Sequence, residues 1–365
     1  MIINKIYIRN FRNIKEIEYE PYRKLNIFLG DNAQGKTNLL EAVFVLATGS
    51  SFRTKQNVNL IKHEENSFNI RSTYIFNKRL IKSRFDYYKC GNKTFEINNK
   101  RTNHNNKEHL RIVLFTPDDL YLIKGNPLKR RNFLDFTLKQ ISKEYAYKLN
   151  NYSKILKKRN LLFKNDQANS KIFKIVEDLF IENAAQLILA RINFISIIDN
   201  LALSIFKQIN NENNFIKMKY ALSFPINSDK INSGVIKDKL NEQVKVKREK
   251  EINHKRSLIG PHLDDVHIYI DNRMARLFAS QGQQRNIIIS LKLAEIYTIK
   301  KLFGFYPVFL LDEVLSELDD NKQRLLMNYL INAEFQSFLT TVNLKHNINN
   351  QISIIKNGYL ERKGH

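Results

Sequence analysis

The residues with the clearest chemical potential lie between Leu25 and Leu46, where a glycine-bounded loop separates two apolar stretches. The loop runs from Gly30 to Thr37 and reads Gly-Asp-Asn-Ala-Gln-Gly-Lys-Thr. Between a strand and a helix, this G-x-x-x-x-G-K-T pattern is typical of a phosphate-binding loop. Its glycines permit backbone angles that turn successive N–H groups toward phosphate oxygens, and the positive end of the following helix adds to that attraction.

Two side chains of this loop have direct chemical roles. Lys36 can reach the β- and γ-phosphates as a point charge, and the Thr37 hydroxyl can ligate Mg²⁺. We therefore predict a site for ATP and Mg²⁺; a chance glycine-lysine turn is the alternative, and the flanking apolar stretches argue against it. The predicted nucleotide-binding residues of the loop are Gly30, Asp31, Asn32, Ala33, Gln34, Gly35, Lys36 and Thr37.

A pair of carboxylates, Asp312 and Glu313, ends a second apolar stretch that begins at Pro307. Burying an unpaired charge is costly, so carboxylates in this position need partners. Asp312 can bind the Mg²⁺ that Thr37 holds, and Glu313 can orient or deprotonate the attacking water as the catalytic base. The alternative is a solvated strand end without chemistry.

A third candidate segment, Ser280-Gln281-Gly282, precedes an almost unbroken apolar run from Asn286 to Lys301. A hydroxyl, bare backbone N–H groups and a helix N-terminus together make an anion site. Because one lysine loop serves one triphosphate, we expect this helix start to cap the γ-phosphate held by a second copy, with Ser280 acting in catalysis. An ordinary helix cap is the alternative.

The elements that position these residues fall into two groups. Short strands and turns dominate as far as residue 115, including a period-two meander between 68 and 100. From about 128 to 210, apolar residues recur at intervals of three and four and Gly and Pro disappear, which predicts antiparallel helices. The predicted fold is α/β: a P-loop ATPase head with a mixed sheet around the loop helix, an antiparallel meander and an inserted helical arm. The head is assigned to 1–115 and 255–365, and the arm with its connector, which includes 224–234, to 116–254.

Charge and cysteine content restrict the class of protein. The chain has 60 Lys and Arg against 36 Asp and Glu, a formal charge of +24, which favours a polyanionic partner such as DNA. A genome biased toward Lys, Asn and Ile could produce the same excess. The single cysteine, Cys90, fits a reducing compartment. No signal peptide and no apolar run of membrane-spanning length is evident, so we expect no membrane contact.

Motifs along the whole chain resemble those of the ABC-type ATPases and, among these, the RecF family of bacterial recombination and replication-repair proteins. The motifs that carry the resemblance are Asn10-Phe11-Arg12-Asn13, Gly35-Lys36-Thr37-Asn38-Leu39-Leu40-Glu41-Ala42, Ser51-Phe52-Arg53, Pro117-Asp118-Asp119-Leu120, Arg130-Arg131-Asn132-Phe133-Leu134-Asp135, Leu156-Lys157-Lys158-Arg159-Asn160-Leu161-Leu162, Gly260-Pro261-His262-Leu263-Asp264-Asp265 and Ser280-Gln281-Gly282-Gln283-Gln284-Arg285. Leu263 departs from the family pattern, which usually has an arginine there. Thr340 and Thr341 stand where transporter ATPases carry a histidine.

The resemblance implies an SMC-like ABC-type head without a long coiled coil. It implies an ATP-dependent homodimer, slow DNA-dependent ATP hydrolysis, and binding to duplex and gapped DNA without sequence preference. It further implies work with RecO and RecR in loading recombinase at single-strand gaps, and a cytoplasmic, nucleoid-associated location. It extends the predicted nucleotide-binding residues to Arg12, Asn38, Gln281, Gly282, Asp319 and Thr341.

Three other classes of protein share some of these motifs. A long-armed SMC-like repair ATPase is disfavoured because the interval between Lys36 and Ser280 holds no sustained heptads. A transporter's nucleotide-binding subunit would keep the histidine and would lack the basic excess. A nucleotide-gated DNA clamp or scaffold with incidental turnover has the same motifs, so the sequence leaves it open; turnover measured with and without DNA separates the two.

Overall fold

The computed structural model describes residues 1–104, 106–210, 214–226, 231–344 and 351–362. Part of the predicted connector, 227–230, lies outside the described residues. The chain forms two compact units. The first comprises 1–120 and 295–365, and the second comprises 121–294.

The secondary structure alternates between strand-rich and helix-rich segments. In chain order the strands are β1 (Ile2–Phe11), β2 (Ile14–Tyr19), β3 (Leu25–Leu29), β4 (Ser67–Phe76), β5 (Arg79–Tyr88), β6 (Lys93–Ile97), β7 (Lys100–Arg101), β8 (Ile112–Phe115), β9 (Ile216–Ala221), β10 (Asp265–Ile270), β11 (Arg273–Met274), β12 (Val308–Asp312), β13 (Ser337–Thr341), β14 (Gln351–Lys356) and β15 (Tyr359–Arg362). The helices are α1 (Lys36–Thr48), α2 (Tyr121–Lys124), α3 (Pro127–Ile141), α4 (Lys143–Lys164), α5 (Lys171–Asn210), α6 (Ser233–His254), α7 (Ala275–Phe278), α8 (Gln281–Phe303) and α9 (Asp320–Asn332).

One sheet of the first unit is antiparallel, with strand order β2-β1-β4-β5-β6-β7. Buried and more exposed residues alternate along its strands because one face of the sheet packs into the core, where Ile6, Ile8 and Ile70 are buried. On the other face, the Arg71 guanidinium lies 5.5 Å from the centre of the Tyr7 ring. This sheet contains the meander predicted between 68 and 100.

The second sheet of the first unit positions the candidate site. Its order is β15-β14-β3-β13-β12-β8, and β14, β3, β13, β12 and β8 pair in parallel with their neighbours, whereas β15 is antiparallel to β14. The register sets Asp312 opposite Thr340 and Leu29 opposite Thr341. The carboxyl ends of β3, β12 and β13 therefore meet at one edge, where ligands bind in sheets of this kind.

The second unit contains the helical arm and a small sheet of order β11-β10-β9. Buried arginines join its helices. Arg159 on α4 is fully buried and donates to Glu177 on α5 at 2.9 Å and to Glu251 on α6 at 2.7 Å. Arg191 on α5 pairs with Asp135 on α3 at 2.9 Å. A buried charge is tolerable only when it is paired, so these pairs fix the helices relative to one another within the unit.

No apolar run of membrane-spanning length was evident in the sequence, and helix α5 corrects this: by length and composition alone it is long and apolar enough to cross a membrane. Over Lys171–Ile209 its most apolar window has a mean hydropathy of 1.6, and 39% of that window is buried in the protein. Phe180 and Ile188 are fully buried, and the charge of Arg191 lies near its midpoint. The apolar face of α5 thus forms part of the core of the second unit.

The boundaries of the units differ from the predicted head and arm. The prediction put 255–294 in the head and 116–120 in the arm, whereas 255–294 group with 121–254 in the second unit and 116–120 belong to the first. The reason is strand pairing and a buried ion pair. Strand β10 pairs along its length with β9, and the Arg130 guanidinium on α3 donates to both Asp265 oxygens, at 2.7 and 2.9 Å. Neither contact is evident from local sequence spacing.

A partly buried histidine of the second unit, His262, is expected to make this unit sensitive to acid. The Nδ1 of His262 lies 2.6 Å from the Tyr152 hydroxyl. Burial, reinforced by nearby arginine charges, lowers the pKa of His262 from 6.5 to about 4. Protonation of His262 is disfavoured in the folded state relative to the unfolded state. The contribution of this histidine to the unfolding free energy is therefore fully present above pH 6.5 and is lost as the pH falls toward 4.

We predict that the unfolding free energy of the wild type falls, relative to that of His262→Gln, by on the order of 1 kcal/mol per pH unit through that window. Urea unfolding at a series of pH values measures the difference. His63→Gln, which changes a side chain that is 94% exposed, is the control and should follow the wild type. Parallel pH profiles for the wild type and His262→Gln would contradict the assignment.

Candidate functional site

The loop between β3 and α1 is held by close backbone contacts. Gly35 has a φ of 110°, a conformation that residues with a side chain rarely adopt, and a Cβ there would lie 2.9 Å from the Asn13 Oδ1, so Asn13 would have to move. The Gln34 carbonyl accepts from the Gly358 N–H at 2.9 Å, and its Oε1 accepts from the Asn357 N–H at 2.7 Å. The turn between β14 and β15 thereby fixes the position of the loop.

Lys36 lies at the centre of this loop, and its side chain is 3% exposed. The Nζ atom donates to the Gly30 carbonyl at 2.7 Å and to the Asp31 carbonyl at 2.9 Å. It also forms an ion pair with the Glu313 Oε1 at 2.9 Å. The loop lysine and the predicted catalytic base, far apart in sequence, are therefore in direct contact.

The two predicted metal ligands are also in contact. The Thr37 hydroxyl donates to the Asp312 Oδ1 at 2.8 Å, and the Thr340 hydroxyl donates to the same oxygen at 2.8 Å. Burial raises the pKa of Asp312 above its ordinary value, and the two hydroxyl hydrogen bonds oppose that rise. Among the described residues no group of three or more His, Cys, Asp or Glu is arranged to hold a metal ion. Thr37 and Asp312 fit Mg²⁺, which usually keeps several waters and takes few protein ligands.

Glu313 turns the chain directly after β12. Its φ of 53° is unusual for a residue other than glycine. Its N–H donates to the Thr340 hydroxyl at 2.9 Å, and its carbonyl accepts from the Ser316 hydroxyl at 2.7 Å. Its side chain is 23% exposed, so the carboxylate reaches Lys36 without losing all contact with solvent.

Arg12 is held on one side of α1. Its guanidinium donates to the two oxygens of the buried Glu41 at 3.0 and 2.8 Å and to the Asn59 carbonyl at 3.1 Å. Asn38 accepts from the Arg53 guanidinium at 2.8 Å. Sequence reasoning did not select Glu41, although a carboxylate in an apolar helix is a signal that a buried cation lies nearby.

Ser280, Gln281 and Gly282 belong to the second unit, at the start of α8. The Ser280 hydroxyl accepts from the Gln283 N–H at 3.2 Å, and the Gln283 Oε1 accepts from the Ser280 N–H at 2.9 Å. This reciprocal pair is a capping box. The predicted serine is therefore a helix cap in this chain, and it is exposed.

The two remaining predicted residues lie at the ends of elements in the first unit. Asp319 caps α9 by accepting from the Lys322 N–H at 3.0 Å, which lowers the pKa of this carboxyl. Thr341 is the last residue of β13, and its hydroxyl donates to the Asn343 carbonyl at 3.0 Å. Thr340, which sequence reasoning did not select, is the threonine that contacts both candidate carboxylate residues.

Comparisons with known proteins indicate the family of this chain. The family described as RecF/RecN/SMC N terminal domain matches residues 2–358. The chain is 36% identical over 94% of its length to the DNA replication and repair protein RecF of Bacillus mycoides (strain KBAB4), covering 93% of that protein. It is 36% identical over 94% of its length to RecF of Bacillus cereus (strain B4264), covering 92% of it.

Solved structures give the same result. One, described as the recombination mediator protein RecF-ATP in the RecFOR pathway, superposes with a TM-score of 0.90 at 30% identity, over 100% of this chain and 98% of that one. An Smc head bound to the C-winged helix domain of ScpA superposes with a TM-score of 0.57 at 15% identity and shows the fold alone.

The fold and site thus define an ABC-type ATPase head of the RecF/RecN/SMC group, as the sequence predicted. Within that group, the chain belongs to the RecF family of DNA replication and repair proteins. The predicted fold class and family are both confirmed.

Proposed function

We propose that this protein binds and slowly hydrolyses ATP, and that ATP drives its dimerisation on DNA during replication and recombinational repair. The observation that carries the proposal is the meeting of Lys36, Thr37, Asp312 and Glu313 at one sheet edge, with Lys36 Nζ 2.9 Å from Glu313 and the Thr37 hydroxyl 2.8 Å from Asp312. Solved relatives whose descriptions name RecF-ATP and RecF-ATPrS support the choice of nucleotide.

Each of these side chains has one task. Lys36 and the backbone N–H groups of residues 30–37 would bind the phosphates, and Thr37 with Asp312 would hold Mg²⁺. Bound ATP supplies the phosphoryl group that is transferred to water. Glu313 contacts Lys36 at 2.9 Å, so a γ-phosphate that replaced one of the acceptors of this lysine would come close to the carboxylate. Glu313 would then orient the attacking water and take its proton.

The site of one copy is completed by the start of α8 in a second copy. Ser280 is exposed, and Leu277 and Phe278 beside it are 66% and 62% exposed, which gives this helix start an apolar surface to bury. The capping hydrogen bond from Gln283 places the Ser280 hydroxyl at a positive helix end, where it can donate to a phosphate. Gln281 and Gly282 add backbone N–H groups.

The net charge of +24 supports DNA as the partner. Binding is to phosphates and without sequence preference, because the basic residues are spread over both units. The RecFOR pathway named in the descriptions of the solved relatives supports RecO and RecR as partners. Loading of recombinase at gaps is added on the family resemblance alone. A nucleotide-gated clamp with incidental turnover is the second candidate, supported by the same dimer surface at Ser280.

We predict that Lys36→Ala abolishes ATP binding, because it removes the buried cation at the centre of the loop. Glu313→Gln should bind ATP normally and hydrolyse it about 10²- to 10⁴-fold more slowly, the usual contribution of a positioned base. Titration with labelled ATP and phosphate release measure the two effects. Lys15→Ala, at an exposed lysine of the same unit, is the control. Unchanged affinity in Lys36→Ala, or wild-type turnover in Glu313→Gln, would refute the corresponding role.

We predict that ATP strengthens DNA binding and ADP does not, because the dimer brings two basic copies together and a nucleotide shifts the equilibrium by its differential affinity. The logarithm of affinity should fall with the logarithm of salt with a slope of about −0.9 per phosphate neutralised. Fluorescent duplex, single-stranded and gapped DNA, titrated with each nucleotide at several salt concentrations, test this. Equal affinity with both nucleotides, or affinity insensitive to salt, would contradict the proposal.

A further inference from the structure

A single hydroxyl contacts both carboxylate residues of the candidate site. The Thr340 Oγ1 donates to the Asp312 Oδ1 at 2.8 Å and accepts from the Glu313 N–H at 2.9 Å. Thr340 is fully buried, and it lies directly opposite Asp312 in the parallel pairing of β12 with β13. A hydroxyl can both donate and accept, so one side chain satisfies the two groups at once.

Each of the two Thr340 hydrogen bonds offsets an unfavourable feature of the residue that it contacts. Asp312 is buried, and a buried carboxylate needs hydrogen-bond donors, one of which is the Thr340 hydroxyl. Glu313 has a φ of 53°, a conformation that persists in a residue other than glycine only when neighbouring contacts hold it. The hydrogen bond from its N–H to Thr340 is such a contact. Thr340 therefore acts on the metal ligand and on the base together.

We propose that Thr340 is a positioning residue for ATP hydrolysis. It orients the Asp312 carboxylate toward the metal position and holds the Glu313 turn in the conformation that directs its side chain to Lys36. The inference rests on the proposed function, since it assigns Thr340 to that same site. It concerns the hydrolytic step and metal affinity, and not the binding of the nucleotide by the loop.

The strand provides a matched control. Ser337, on β13 with Thr340, is also fully buried, and among the described residues its hydroxyl has no hydrogen-bond partner. Ser337→Ala therefore removes a buried hydroxyl from the same strand without touching either carboxylate. Thr340→Val preserves the shape of the side chain and removes both hydrogen bonds. Thr340→Ser preserves both bonds and removes only a methyl group.

The test compares these variants in ATP affinity without Mg²⁺, in turnover, and in the Mg²⁺ concentration that gives half-maximal turnover. Thr340→Val should keep its ATP affinity, lose turnover about 10- to 100-fold and need more Mg²⁺, as expected when a group that orients a metal ligand is removed. Thr340→Ser should recover turnover and the Mg²⁺ requirement. Ser337→Ala should match the wild type in all three measurements.

Several results would overturn the inference. These are wild-type turnover and Mg²⁺ requirement in Thr340→Val, equal losses in the Val and Ser variants, or the same loss in Ser337→Ala. If Thr340→Val does not fold, Thr340→Ala takes its place, because it also removes the hydroxyl, and an undiminished rate there overturns the inference equally.

Glu313→Gln separates this inference from the proposed function. If Glu313→Gln hydrolyses ATP at the wild-type rate, the assignment of the hydrolytic site fails. If Glu313→Gln is slow and Thr340→Val is unaffected, only the role of Thr340 fails. Low turnover in both, with recovery in Thr340→Ser, supports both conclusions.

Discussion

The burial of Asp312 at the end of β12 is the constraint on which the candidate site depends. A carboxylate in that position needs hydrogen-bond donors, and the structure supplies them from two other segments, Thr37 at the start of α1 and Thr340 on β13. Those donors arrive only because β3, β13 and β12 are parallel and in register. The same register brings Glu313 to Lys36. The need of the buried Asp312 carboxylate for hydrogen-bond donors and the order of the strands therefore fix the positions of the site residues.

The second unit also contains buried charges that need partners, but these charges are positive. Arg159 and Arg191 are buried, and their carboxylate partners lie on other helices. Removing one partner of such a pair leaves the other charge buried and unpaired, and the resulting loss of stability exceeds what the pair itself contributes. The pairs therefore specify how the helices pack within this unit more than they add to its stability. The unit also carries Ser280 at the start of α8, so its packing sets the direction of the helix start that we assign to a second copy.

Much of the fold and site could be predicted because the signals are local. The loop from Gly30 to Thr37 lies between a strand and a helix, and Asp312 and Glu313 end an apolar strand; both features are visible in a short window. Strand register is not visible in this way. The sequence showed two adjacent threonines and favoured Thr341, whereas the pairing of β12 with β13 places Thr340 beside the carboxylates. The partner of Arg12 and the limits of the two units also depend on contacts distant in sequence.

The central claim is that the ATP site of one copy is completed by Ser280 of another. Light scattering on the Glu313→Gln protein, which should retain ATP, measures this directly when done with ATP, with ADP and without nucleotide. The predicted mass is twice the 43.1 kDa of one chain with ATP and one chain otherwise. Adding Ser280→Arg should keep one chain under all three conditions, because the larger side chain fills the space over the phosphate. The same mass with ATP and ADP, or an ATP dimer that tolerates Ser280→Arg, would contradict the account.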